Sequence, residues 1–130
     1  MRYFKLTSLS FVIASIPFFG YKCDKKASGE CLQGKVIRIT CATTVVQVIN
    51  RNDIGTDGWK DGHQGANQTY DNVFSVSNKC SLPADLKVGD EFSFKIDKPK
   101  PSADCIVCMM YDAPPDAKYN VENLSKEPCK

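Results

Sequence analysis

At 130 residues the chain has room for one domain and a targeting segment. Its formal charge of +2 is carried by the leader: without Arg2, Lys5 and Lys22, the seventeen Lys and Arg become fourteen, against fifteen Asp and Glu, a balance near −1. No basic patch or stripe remains, which excludes a nucleic-acid-binding reading.

The chain opens on MRYFK, with two cations, followed by the uncharged and largely apolar run Leu6 to Gly20. A charged start and an apolar stretch of this length predict an export signal over residues 1–22. The run is short for a transmembrane helix and carries Pro17, which would interrupt one. Cys23, followed by AspLysLys, resembles the lipidated cysteine of a bacterial lipoprotein, although Lys22 stands where such proteins carry a small residue. The resemblance implies a membrane partner through an N-terminal lipid. Residues 23–30 (CDKKASGE) are short, polar and aperiodic, as a tether is.

With Cys23 set aside, Cys31, Cys41, Cys80, Cys105, Cys108 and Cys129 remain in residues 31–130. Six cysteines in a small exported domain predict a disulfide framework whose connectivity the sequence leaves open. Cys31 to Ile49 reads as two strands about a turn at Cys41-Ala42-Thr43. The apolar set Leu32, Gly34, Val36 slips by one residue to Ile37, Ile39. Such a slip predicts a bulge in a long bent strand able to serve both halves of a small barrel.

Asn50 to Asp71 contains four glycines and four aspartates and no apolar period, so it reads as a loop. A short strand over Asn72–Ser77 follows. Phe92, Phe94 and Ile96 then alternate with Glu91, Ser93, Lys95 and Asp97, a half-buried strand. Cys105 to Tyr111 is expected to be a strand apolar on both faces, and Tyr119–Leu124 the last. Turns every ten or so residues and no amphipathic helix predict an all-β fold: a small five- to six-stranded barrel, stapled by disulfides and preceded by the signal segment.

The strand order and the LeuLysValGlyAspGluPheSerPhe step resemble the oligonucleotide/oligosaccharide-binding (OB) barrel. Cys-x2-Gly-Lys-Val, Thr-Val-Val-Gln-Val-Ile, Leu-Lys-Val-Gly-Asp, Cys-x2-Cys and the terminal cysteine resemble a group of small cysteine-rich exported proteins of the Bacteroidetes. That resemblance spans Glu30 to Lys130 and implies a cell-envelope location and no particular activity.

Four constellations bear on chemistry. Cys105-Ile-Val-Cys108 has redox spacing, but in a strand the two side chains would face opposite sides and take different partners. Zinc would need a second such knuckle, which the sequence lacks. The aspartates of Asp53 to Asp61 are spaced like a calcium loop, yet Gly55 and Gln64 stand where ligands belong, so the stretch reads as a solvated turn-rich loop. The same loop holds Trp59, the single tryptophan, with Asp57, Asp61, His63 and Tyr70 around it. These five are the candidate binding residues for a glycan or a protein. Alternatively, Trp59 folds back as an apolar cap on the barrel's mouth. His63, the sole histidine, lies among glycines with no nucleophile motif beside it. Asn67 and Asn123 begin glycosylation sequons, which matter only in a eukaryotic secretory pathway. The expectation is therefore a non-enzymatic binding module without metal or cofactor. The alternatives are a thiol-disulfide protein using Cys105 and Cys108, or a purely structural lipoprotein.

Overall fold

A computed structural model describes residues 29–62, 68–100 and 105–129 of the chain. The segment expected to be an export signal, Cys23 and His63 lie outside the described residues. The described residues form seven strands: β1 (Leu32–Ile39), β2 (Thr44–Val48), β3 (Trp59–Lys60), β4 (Thr69–Tyr70), β5 (Val73–Val76), β6 (Glu91–Asp97) and β7 (Lys118–Ser125). Five of them close a barrel in the order β1-β2-β5-β7-β6, and β3 and β4 form a separate two-stranded ribbon. All barrel pairs are antiparallel except β5 with β7. This is the OB-like arrangement, in which closure leaves no unpaired sheet edge.

Closure depends on β1, which pairs with β6 through Leu32–Lys35 and with β2 along most of its length. Its register against β2 shifts between Val36 and Arg38, so Ile37 is the extra residue of a bulge. Before the bulge, Leu32 and Val36 point into the barrel; beyond it, Ile37 packs in a second cluster with Val45, Trp59 and Val73. The apolar slip in the sequence is this bulge. Gly34 lies where the barrel is tightest: a Cβ there would stand 2.6 Å from Phe94 Cε1 and 2.7 Å from Val46 Cγ1. Only glycine lets β1 approach β2 and β6 so closely.

The barrel is filled by Leu32, Val36, Val46, Val48, Phe74, Val76, Phe92, Phe94, Ile96 and Val121. Phe94 packs against Phe74 and Phe92 at centroid separations of 5.8 and 5.2 Å, and Tyr119 meets Phe74 edge-on at 5.3 Å. Burying each large apolar side chain contributes about 1.5–3 kcal/mol. The period-two alternation read for β6 holds for Phe92, Phe94 and Ile96, although Ser93 is buried too.

Three disulfides join Cys31–Cys129, Cys41–Cys108 and Cys80–Cys105. The first closes the two ends of the domain on each other. Such a framework suits an oxidising, extracytoplasmic compartment.

Two expectations are corrected. Residues 105–111 form no strand. The closed barrel has no free edge to receive one, and Cys105 and Cys108 are drawn out of register to Cys80 and Cys41. The Asn50–Asp71 segment, expected as an aperiodic loop, carries the β3–β4 ribbon and a bridge between Thr56 and Val73. Its isolated apolar residues are anchors rather than a stripe: Ile54 enters the barrel core and Trp59 enters the second cluster. Gly55, at φ +106, lies against the backbone of Asn72 and Val73, too close for a Cβ.

Candidate functional site

In OB barrels the usual ligand surface is the outer face of the second and third barrel strands, bordered by the loop joining the first two strands and the loop joining the last two. Here those strands are β2 and β5, and the bordering loops are residues 40–43 and 98–117. The outer face of β2 and β5 presents Val45 and Val73, which are fully buried beneath Trp59, Ile37 and Tyr70. The protein thus covers this face with its own β3–β4 ribbon.

A charged cluster fixes that cover. The bulge turns Arg38 outward beside Ile37, and its guanidinium lies 4.8 Å from the centroid of the Trp59 ring. Arg38 Nη1 donates to Asp61 Oδ1 at 3.1 Å, and Nη2 donates to the Asp112 carbonyl at 2.8 Å. The Asp112 carboxylate accepts from Thr40 Oγ1 at 2.7 Å and Thr43 Oγ1 at 2.5 Å, and stands 3.6 Å from Arg38 Nη2. Trp59 Nε1 donates to the Ala113 carbonyl at 3.0 Å. Arg38 is 3% exposed and Asp61 5%, so these charges are held by partners rather than by water. The cluster ties the first turn, the ribbon and the segment before β7 into one unit.

The expected binding residues divide accordingly. Trp59, Tyr70 and Asp61 come together: the two rings are 6.1 Å apart as a cross-strand pair, and Asp61 reaches them through Arg38. Trp59 is only 9% exposed and folds inward, but it is seated on the outer wall of the barrel with Ile37, Val45 and Val73 rather than at the barrel's mouth. Asp57 stands apart and accepts the Asn72 N–H at 2.9 Å. The three aspartates of the calcium-like spacing are directed to separate partners: Asp53 to Arg51, Asp57 to Asn72 and Asp61 to Arg38.

What remains open on this side of the molecule is the segment 105–111, here called the strap. Ile106, Met109 and Tyr111 are at least 90% exposed, and Val107 and Met110 are exposed as well. Neither its backbone nor its apolar side chains are taken into the sheet, yet its position is determined. Cys105 is bonded to Cys80, Cys108 to Cys41, and Asp112 and Ala113 immediately beyond are gripped by Arg38 and Trp59. Cys108 N–H also donates to the Cys41 carbonyl at 3.4 Å. Lys79 Nζ donates to the carbonyls of Thr40 and Cys41 beside this anchor. Burial there holds its pKa below the ordinary lysine value, opposed by the Asp112 charge. Cys105 and Cys108 therefore serve as two separate rivets and share no bond.

Sequence reasoning missed Arg38, Asp112 and the strap. The first had a readable signal: an arginine directly after the slip, on the same side as Ile37. The pairing of Arg38 with a residue 74 positions away left no trace in local pattern.

The class is thus an OB-like barrel, riveted by three disulfides, with its usual ligand face closed by an internal ribbon. No protein-family model matches the chain, and no curated protein matches it.

Proposed function

We propose that the protein is an exported, non-enzymatic interaction module, held at the cell envelope by a lipid on Cys23, that presents the strap to a protein partner. The observation carrying this reading is a rigid display of apolar side chains. Soluble monomers rarely expose contiguous apolar patches larger than a few hundred Å². Four of the five exposed large hydrophobics between Ile106 and Tyr111 are Ile, Met or Tyr, and two disulfides hold them in place. Clamping a segment before binding lowers the ordering entropy lost on association. No charged or amide side chain lies between Cys105 and Tyr111, so the surface suits the apolar face of a protein better than a sugar. The covered β2–β5 face supports the same choice.

The position relative to the tether also suits display. Cys31, where the tether joins, and Cys41, which holds the strap, flank opposite ends of β1, up to about 30 Å apart at the rise of a strand. The strap would then point away from the anchoring membrane.

The test compares native membrane extracts in mild detergent for wild type and for Ile106→Ser/Met109→Ser/Tyr111→Ser. Wild type should migrate as a complex and the variant as the single chain, with unchanged thermal stability because the replaced side chains are exposed. A complex that survives the triple change, or a wild type that is already a single chain, would refute the reading. Intact mass of the same material reports a lipid at Cys23.

A further inference from the structure

We infer that the partner of the strap is a second copy of this chain, joined strap to strap about a two-fold axis; this rests on the strap being the interaction surface. Three observations point to it. The segment Cys105 to Tyr111 is outside the sheet, and among the described residues its one backbone–backbone hydrogen bond to the rest of the chain is from Cys108 N–H to the Cys41 carbonyl. Such backbone is a template for pairing with another extended chain. Its sequence, CIVCMMY, is uncharged, free of Pro and Gly, and apolar on all sides, which are the properties of short segments that pair with their own copies. An uncharged surface needs no complementary field on its partner, and a domain with a charge balance near −1 does not repel its copy.

Size agrees as well. The exposed parts of Ile106, Val107, Met109, Met110 and Tyr111 amount to on the order of 700 Å² of accessible surface, backbone included, the same order as the roughly 800 Å² per partner of a standard interface. Two-fold pairing is self-complementary, so one strap supplies both halves of the contact. In antiparallel pairing of identical segments, the residue at the centre faces its own counterpart. A two-fold antiparallel pair must centre on one residue; of the two in the middle of 106–111, Cys108 is bonded to Cys41 and Met109 is fully exposed, so the pair centres on Met109. Met109 is therefore the residue nearest the axis that is free to make the contact.

The experiment is sedimentation of the full exported chain, purified without reductant in mild detergent, with Met109→Glu and Met109→Lys alone and mixed in equal amounts. Wild type should sediment as a dimer. Each variant alone should weaken dimerisation at least tenfold, because like charges meet at the axis, and the mixture should recover it. Because Met109 is fully exposed, neither change touches the folded core, and the recovery in the mixture excludes misfolding as the cause. A dimer insensitive to either charge, or a mixture no better than its components, overturns the strap-to-strap contact. A wild type that is monomeric when pure but part of a larger complex in the membrane extract overturns the second copy and keeps the strap as a surface for a different protein. A single chain in both preparations overturns both.

Discussion

Replacing Arg38 with Met should be the most damaging single change outside the barrel core. The substitution preserves most of the volume under Trp59 but removes the donors to Asp61 Oδ1 and to the Asp112 carbonyl. Two carboxylates with side-chain exposures of 5% and 2% lose the Arg38 guanidinium. Breaking a buried ion pair by removing one partner costs about 3–5 kcal/mol, far above the ~1 kcal/mol of an exposed pair. Loss of the guanidinium over the Trp59 ring adds about 1 kcal/mol. Against a total stability of about 5–15 kcal/mol, this predicts a fall in Tm of more than roughly 10 °C. The assay is urea unfolding of the oxidised protein followed by two probes, Trp59 fluorescence and far-ultraviolet circular dichroism. Because Trp59 is the single tryptophan and sits against Arg38, its emission reports the ribbon while dichroism reports the barrel. In the variant, the fluorescence transition should move to lower urea than the dichroism transition, and the emission should shift to the red. Changing Asp61 to Leu alongside should recover part of the loss, because the buried carboxylate that Arg38 had neutralised is then gone. A loss below about 1 kcal/mol with unchanged Trp59 emission would refute the claim that this cluster anchors ribbon and strap.

The other expectations are simpler. Gly34→Ala forces a methyl against Phe94 and Val46 and should cost about 1–3 kcal/mol, read as a lower Tm with the same unfolding slope. Replacing Cys31 and Cys129 by Ala opens a loop of 98 residues and should cost about 4–5 kcal/mol. Removing the Cys80–Cys105 bond, with a separation of 25, should cost about 3 kcal/mol, so denaturant midpoints should rank the two. Lys79 loses its proton more readily folded than unfolded, so its contribution to stability rises as pH climbs through its lowered pKa toward the ordinary value of 10.5. The stability of wild type minus that of Lys79→Met should increase over that alkaline window; a flat difference would contradict it.

The sequence alone determined the class of fold, because barrel strands advertise themselves locally. Phe92, Phe94 and Ile96 alternate with polar residues, the slip at Val36–Ile37 marks the bulge, and six cysteines in a short domain announce covalent bracing. Each of these signals lies within one strand or depends on composition. Where Trp59 ends up, and which cysteines pair, depends on contacts between distant parts of the chain. Arg38 meets Asp61 and Asp112 only after the bulge has turned it outward and the barrel has closed. Cys105 to Tyr111 is apolar and β-prone, so locally it is a strand. Closure of β1 on β6 takes up the last sheet edge and leaves it outside, held by Cys80 and Cys41. Local pattern determines which residues prefer to be extended; the closed sheet decides how many extended segments it can accept, and here it accepts five and leaves the sixth exposed.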